Sequence, residues 1–344
     1  MRIPRRGKLA PVTDPFASRT PRWRVWLRPV VAWLGVLAAV GMFLVLIAGS
    51  TVTNTGSATG CGQSWPLCGG RFIPEFAVST AIEFTHRAIT GVEGVLVVLL
   101  AAGLLTLYWS RVSARILAVL LVGSIALQAG MGAWAVMQPQ DPWVLALHFG
   151  FSLLAFAAAV LAALCAWSPD RLLAPASVRG GMRAATWGVG VYLYALVYTG
   201  AYVSHAGASA ACGGWPLCGA GSGSWFAVAV NLLHRSAAGL ALVLALGLVM
   251  LYVWRASGQR DLVVGASVLV VTILAQGAAG AYLVLTHWQL FGQLLHAGVT
   301  AFVFGAIGYL CLRVSLRVPR PAGRTSMVGG PDRPLTGLGA DPGS

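Results

Sequence analysis

Four histidines recur in register along the chain. His86 and His148 lie 62 residues apart, as do His234 and His296, and each of the second pair follows its counterpart by 148 residues. Other uncommon residue types repeat around them. Cys61 to Cys68 encloses Trp65-Pro66-Leu67, and Cys212 to Cys218 encloses Trp215-Pro216-Leu217. Arg87 and Arg235 each follow a histidine, and Gln128 with Gly132 is echoed by Gln276 with Gly280. A single helical histidine most often serves an interhelical hydrogen bond. A repeated pair at one depth allows more, because two imidazoles on facing helices can ligate an iron porphyrin from both sides. The lack of further His, Cys or carboxylate ligands nearby argues against an all-protein tetrahedral zinc site.

The repeat is broken at one chemically important place. Glu83 stands three residues before His86, where the other half has Asn231 before His234. Residues at i and i+3 share a helix face. The first half therefore has a carboxyl beside its histidine, able to move a proton if the cavity is apolar. The plain alternative is a solvated helix-start residue favoured by the dipole. Arg87 and Arg235 suit carboxylates such as porphyrin propionates, with interfacial snorkelling as the alternative. Glu93, seven residues beyond His86, has no role assigned. The pairs Cys61–Cys68 and Cys212–Cys218 fit disulfides in an exported loop. Both could be staples, and the first could also be redox-active. Cys165 and Cys311 read as packing residues.

The elements that position these residues must lie in a membrane. Of 344 residues, 58% are hydrophobic and 9% charged, with a mean hydropathy of +0.78. A soluble domain has about 25% charged residues, so a soluble enzyme and a disordered chain are both excluded. Apolar runs near 30–50, 84–109, 115–137, 143–167, 185–205, 228–254, 262–286 and 293–314 are each long enough to span as a helix. The expectation is an all-α integral membrane protein whose eight transmembrane helices form two tandem pseudo-symmetric four-helix bundles. Residues 29–168 and 185–316 form the halves. They are flanked by a cytosolic segment 1–28, a linker 169–184 and a tail 317–344. With both termini cytoplasmic, twenty of the 23 Lys and Arg fall inside and three outside, as the positive-inside rule requires. The net charge of +14 is then a topology signal, and no basic-aromatic pattern argues for nucleic acid. All four histidines fall in the first turns of helices that start on the outer face.

With Asn54-Thr55-Gly56-Ser57, the Cys61-to-Cys68 loop, Glu83-Phe84-Thr85-His86-Arg87 and the repeated histidine spacing, the chain resembles the haem A synthases over about residues 30–315. That resemblance implies a membrane oxidoreductase of cytochrome oxidase assembly. It implies oxidation of the C8 methyl of haem O to a formyl group by successive hydroxylations, the gem-diol losing water. His86 and His148 would bracket the substrate haem O, Glu83 would be the catalytic carboxylate, and His234 and His296 would hold a resident haem b that relays electrons. The implied partners are the lipid bilayer, haem O synthase and an electron donor, and a homo-oligomer is compatible with the pattern. The competing readings are a di-haem cytochrome b that leaves the porphyrin unmodified, a thiol oxidoreductase and a repeat-built transporter. The first leaves Glu83 unexplained, the second lacks a Cys-x-x-Cys, and the third predicts broken helices at mid-membrane.

Overall fold

A computed structural model describes residues 21–75, 77–138, 142–176, 178–205, 208–219, 223–256 and 258–316. The basic residues before Pro21 and the tail beyond Leu316 therefore lie outside the described residues. The described residues are mostly helical, with no β-strand among them. Eight long helices occur among the described residues: α1 (Arg22–Asn54), α2 (Val78–Tyr108), α3 (Val112–Met137), α4 (Pro142–Trp167), α6 (Gly180–His205), α7 (Trp225–Arg255), α8 (Arg260–Leu285) and α9 (Leu290–Ser315). The short α5 (Pro169–Leu172) lies in the connection between α4 and α6. Seven of the long helices are long and apolar enough to cross a membrane. The other, α6, is 26 residues long, but Tyr192, Tyr194, Tyr198, Tyr202 and five glycines dilute its hydropathy. The protein is an all-helical, multi-pass membrane protein.

In lipid a helix needs no polar face, and these helices are apolar all round. Leu37, Val40 and Leu44 of α1 are exposed while Met42, Val45 and Leu46 are buried. Exposed tryptophans gather at the helix ends instead. Trp109, Trp167 and Trp254 lie at one end of the bundle, and Trp134, Trp143 and Trp225 at the other. That is the placement an amphipathic indole takes at a membrane–water interface.

The helices start earlier than their apolar runs. Ser79, Thr80 and Glu83 are polar yet already helical in α2, and Ser224 caps α7 by accepting from the Ala227 N–H at 3.3 Å. His86 is consequently the ninth residue of α2 and His234 the tenth of α7. They sit in the third turn, about 12 Å along the axis at 1.5 Å per residue. His148 and His296 are each the seventh residue of their helix, in the second turn. All four are deeper than a first-turn position.

Packing follows one cyclic order twice. In the first half α1 packs on α2, α2 on α3, α3 on α4 and α4 back on α1; α6, α7, α8 and α9 close the same ring. The halves meet through α4 with α9, α4 with α6, and α1 with α9. Small residues permit the close approaches. A Cβ on Gly35 of α1 would stand 3.2 Å from the Ala163 Cβ of α4, and one on Gly308 of α9 would stand 3.3 Å from the Ala157 Cβ of α4. At the end away from the histidines, buried Arg313 pairs with Asp261 at 2.7 Å. It also donates to the carbonyls of Leu172 and Ala174, tying the connection to α8 and α9.

Candidate functional site

One cavity of about 1410 Å³ is lined by all four histidines together with Glu83, Asn231, Arg87 and Arg235. It is larger than the 300–1,000 Å³ of most ligand pockets and is continuous across both halves. Each half contributes one pair to the lining, His86 with His148 and His234 with His296.

Each imidazole lies against a glycine of the neighbouring helix. A Cβ on Gly49 of α1 would stand 3.1 Å from Cε1 of His86, and one on Gly200 of α6 would stand 2.8 Å from that of His234. Gly132 of α3 and Gly280 of α8 face His148 and His296 at 3.7 and 3.2 Å. Gly132 and Gly280 belong to the repeat visible in the sequence. Gly49 and Gly200 repeat at an offset of 151, as Cys61 and Cys212 do, but only packing shows that they meet an imidazole.

The ring nitrogens differ between halves. In the first, Nδ1 of His86 and Nδ1 of His148 are buried without a hydrogen-bond partner. In the second, Nδ1 of His234 is 2.9 Å from the Thr199 hydroxyl, and the Gln276 amide nitrogen is 3.2 and 3.1 Å from the two ring nitrogens of His296. Gln128, the counterpart of Gln276, donates to the His148 carbonyl at 3.2 Å and accepts from Ser152 at 3.0 Å. Unpartnered buried nitrogens cost free energy unless something fills the cavity. Paired imidazoles on a large, mostly apolar cavity fit an iron porphyrin. Among the described residues no three His, Cys, Asp or Glu side chains form a metal-binding cluster.

Both cysteine pairs are joined as disulfides, Cys61–Cys68 and Cys212–Cys218, with Cα–Cα separations of 4.6 and 4.4 Å. Each loop is held by the arginine that follows the histidine. Arg87 donates to the carbonyls of Ser64, Leu67 and Pro66 at 2.8, 3.1 and 3.4 Å. Arg235 does the same with Gly214, Leu217 and Pro216 at 2.6, 3.1 and 3.2 Å. Glu83 is 3% exposed and paired at both oxygens, accepting from the Cys61 N–H at 2.7 Å and from Arg87 at 2.5 Å. It is thus a paired carboxylate, neither solvated at a helix start nor isolated among apolar groups. Asn231, equally buried, donates to the Ala208 carbonyl at 2.6 Å. The charge of Arg235 meets carbonyls alone in these contacts, whereas that of Arg87 meets Glu83.

Three buried residues stand apart. Cys165 and Cys311 are free and packed in the helix interior. Glu93 is 1% exposed, has no hydrogen-bond partner at either oxygen, and lies against Gly41 of α1.

A family model described as cytochrome oxidase assembly protein matches residues 73–307. The chain is 40% identical over 300 residues to a haem A synthase of Shouchella clausii, covering 82% of this chain and 96% of that one. It is 38% identical over 285 residues to one of Symbiobacterium thermophilum, covering 78% and 90%. It is also 38% identical over 282 residues to one of an Exiguobacterium species, covering 81% and 92%.

Proposed function

The chain belongs to the haem A synthase family, and from that premise we propose that it oxidises the C8 methyl of haem O to the formyl of haem A by successive hydroxylations. In this reading the first half, α1–α4, is the reaction chamber and the second, α6–α9, holds a resident haem b that passes electrons to it. We also propose that α6 crosses the membrane with the other seven long helices. The two bundles are then tandem copies related by an axis along the membrane normal, and the cyclic packing order shared by the halves supports this. Both termini would face the cytoplasm and the disulfide loops the outside.

The observation that carries the reading is the placement of a carboxylate in one half of a doubled imidazole site. His86 and His148 line the cavity together with Glu83, and His234 and His296 line it with Asn231. The bound iron porphyrins supply the redox and oxygen chemistry. The chain supplies the rest. His86 and His148 would hold the substrate ring, and Gly49 and Gly132 leave room for their imidazoles. Glu83 offers a carboxylate oxygen as proton acceptor beside the ring. Arg87 holds that carboxylate and the Cys61–Cys68 loop in one place, so loop, acid and histidine move as a unit. The loop limits water entering from the surface. Arg235, with no carboxylate among the contacts above, is the better of the two arginines for a propionate, and it lies in the half assigned to haem b. A haem b held by His234 and His296 would take electrons from a separate donor, and haem O would arrive from its own synthase through the bilayer.

Expression with a haem O source in a cell lacking other synthases tests this directly. Extracted pigment from the wild type should contain haem A by mass, together with haem b. Glu83→Gln should retain both haem sites by absorbance and yield no aldehyde. A wild-type preparation that binds haem yet makes no formyl product would turn the assignment toward a di-haem electron carrier.

A further inference from the structure

The hydroxyl of Thr199 has one proton and two neighbours. It donates to the Leu196 carbonyl at 2.7 Å within α6, and it lies 2.9 Å from Nδ1 of His234. A hydroxyl carries a single donor hydrogen. With that hydrogen committed to Leu196, the oxygen can only accept from the imidazole, so Nδ1 of His234 carries the proton and Nε2 keeps its lone pair. A neutral imidazole in this tautomer presents Nε2 to a metal.

The first half has the same surroundings without this hydroxyl. Gly49 and Gly200 occupy equivalent places, each against its imidazole. The residue before Gly200 is Thr199, and the residue before Gly49 is Ala48. No hydrogen-bond partner meets Nδ1 of His86. Ala48 instead borders a small cleft of about 310 Å³ with Thr51, Ala81, Ile82 and Thr85. One hydroxyl therefore separates an imidazole whose tautomer is set from one whose tautomer is free.

We infer that Thr199 is a positioning residue that sets the iron-facing nitrogen of His234 and thereby makes the second half a site of permanent haem retention. This rests on the reading that His234 ligates haem b, and goes beyond it by naming what holds the ligand. Acceptors behind a ligating imidazole raise its basicity and strengthen its bond to the metal. The added electron donation favours the ferric state, so the hydrogen bond lowers the midpoint potential of the bound haem. Ala48 leaves His86 without such a partner, which suits a substrate that must enter and leave.

Thr199→Val keeps the shape and removes the acceptor, and Thr199→Ser keeps the acceptor. The readouts are the midpoint potential of the low-spin haem and its rate of transfer to apomyoglobin, measured on the purified full-length protein. Thr199→Val should raise the potential and speed haem loss by about tenfold or more, within the 10–100-fold typical of outer-shell partners. Thr199→Ser should return both toward wild type. Unchanged potential and retention in Thr199→Val, with the low-spin signal lost in His234→Ala, would overturn the inference and leave the haem b assignment standing. A low-spin signal that survives His234→Ala would remove the assignment and the inference together.

Discussion

In α6–α9 the Thr199 hydroxyl sits behind His234 and the Gln276 amide meets His296, whereas in α1–α4 Ala48 stands in place of Thr199 and Gln128 turns to the His148 backbone and Ser152. The backbone plan of the two halves is otherwise alike. Each has a ring of four helices, two histidines against two glycines, and a disulfide loop gripped by an arginine. The comparison teaches that a common frame can carry different polar partners at its imidazoles and differ by one carboxylate. On the proposed reading, the partner behind His234 favours retention and the carboxylate beside His86 favours chemistry.

The largest effect should come from erasing the carboxylate difference. Glu83→Asn gives the first half the residue of the second. General acid–base groups contribute about 10²–10⁴-fold in rate, so haem A output should fall by at least 10²-fold while the haem b spectrum persists. The reciprocal Asn231→Glu should not create a second oxidation site if, as proposed, the second half keeps its haem in place. Mass analysis of pigments from both variants checks the pair. Formation of haem A by Glu83→Asn at the wild-type rate would break the division of labour.

A smaller and graded effect is expected from the glycines. A Cβ at position 200 would come within 2.8 Å of the His234 ring, closer than at 49 (3.1 Å), 280 (3.2 Å) or 132 (3.7 Å). Overpacking costs about 1–3 kcal/mol, and 1.4 kcal/mol is about tenfold in binding. Gly200→Ala should therefore weaken haem b retention by about 5- to 150-fold. Gly280→Ala should have a milder effect, and Gly132→Ala should leave first-half haem O binding unaltered. A spectral titration of the series gives the ranking.

Next in size are the disulfides. Either pair closes a short loop and stabilises by about 2–3 kcal/mol in the chain-entropy account, so Cys61→Ser and Cys212→Ser should lower thermal stability alike. Their functional effects should part. The Cys61 N–H is a hydrogen-bond partner of Glu83, so loosening that loop disturbs the carboxylate proposed to react, whereas Cys212 lies on the half proposed only to hold haem. Haem A output normalised to folded protein should fall several-fold in the first variant and stay near wild type in the second.

Much of this site was legible in the sequence because its residues are rare. Six histidines and six cysteines in 344 residues make a register of 148 conspicuous, and Glu83 against Asn231 could be read directly. Gly49 and Gly200 were hidden among 43 glycines, and Thr199 among ordinary helix residues, since only packing shows which of them meets an imidazole. Helix starts were misplaced because hydropathy registers lipid contact, while Ser79, Thr80 and Glu83 form helix in the loop-covered region above it. The engagement of Glu83 by Arg87 and Cys61 also required the fold, because the loop partner lies 22 residues away.

The smallest difference between the halves is one of room. Gly94 and Ala126 line the cavity between α2 and α3, where the second half has Leu242 and Leu274 between α7 and α8. A Cβ at Gly94 would meet nothing within 4 Å, so a side chain there enters open space without straining a neighbour. Haem O carries a long apolar tail that haem b lacks, and the half proposed to bind it is the roomier along this seam. Gly94→Leu reproduces the second half at that point, and Leu is also the better helix former by roughly 1 kcal/mol. Stability should thus hold or rise. Turnover of haem O should fall a few-fold through a higher KM, with the haem b spectrum unchanged. An unaltered KM with the leucine in place would show that the extra space in the first half lies outside the path of the tail.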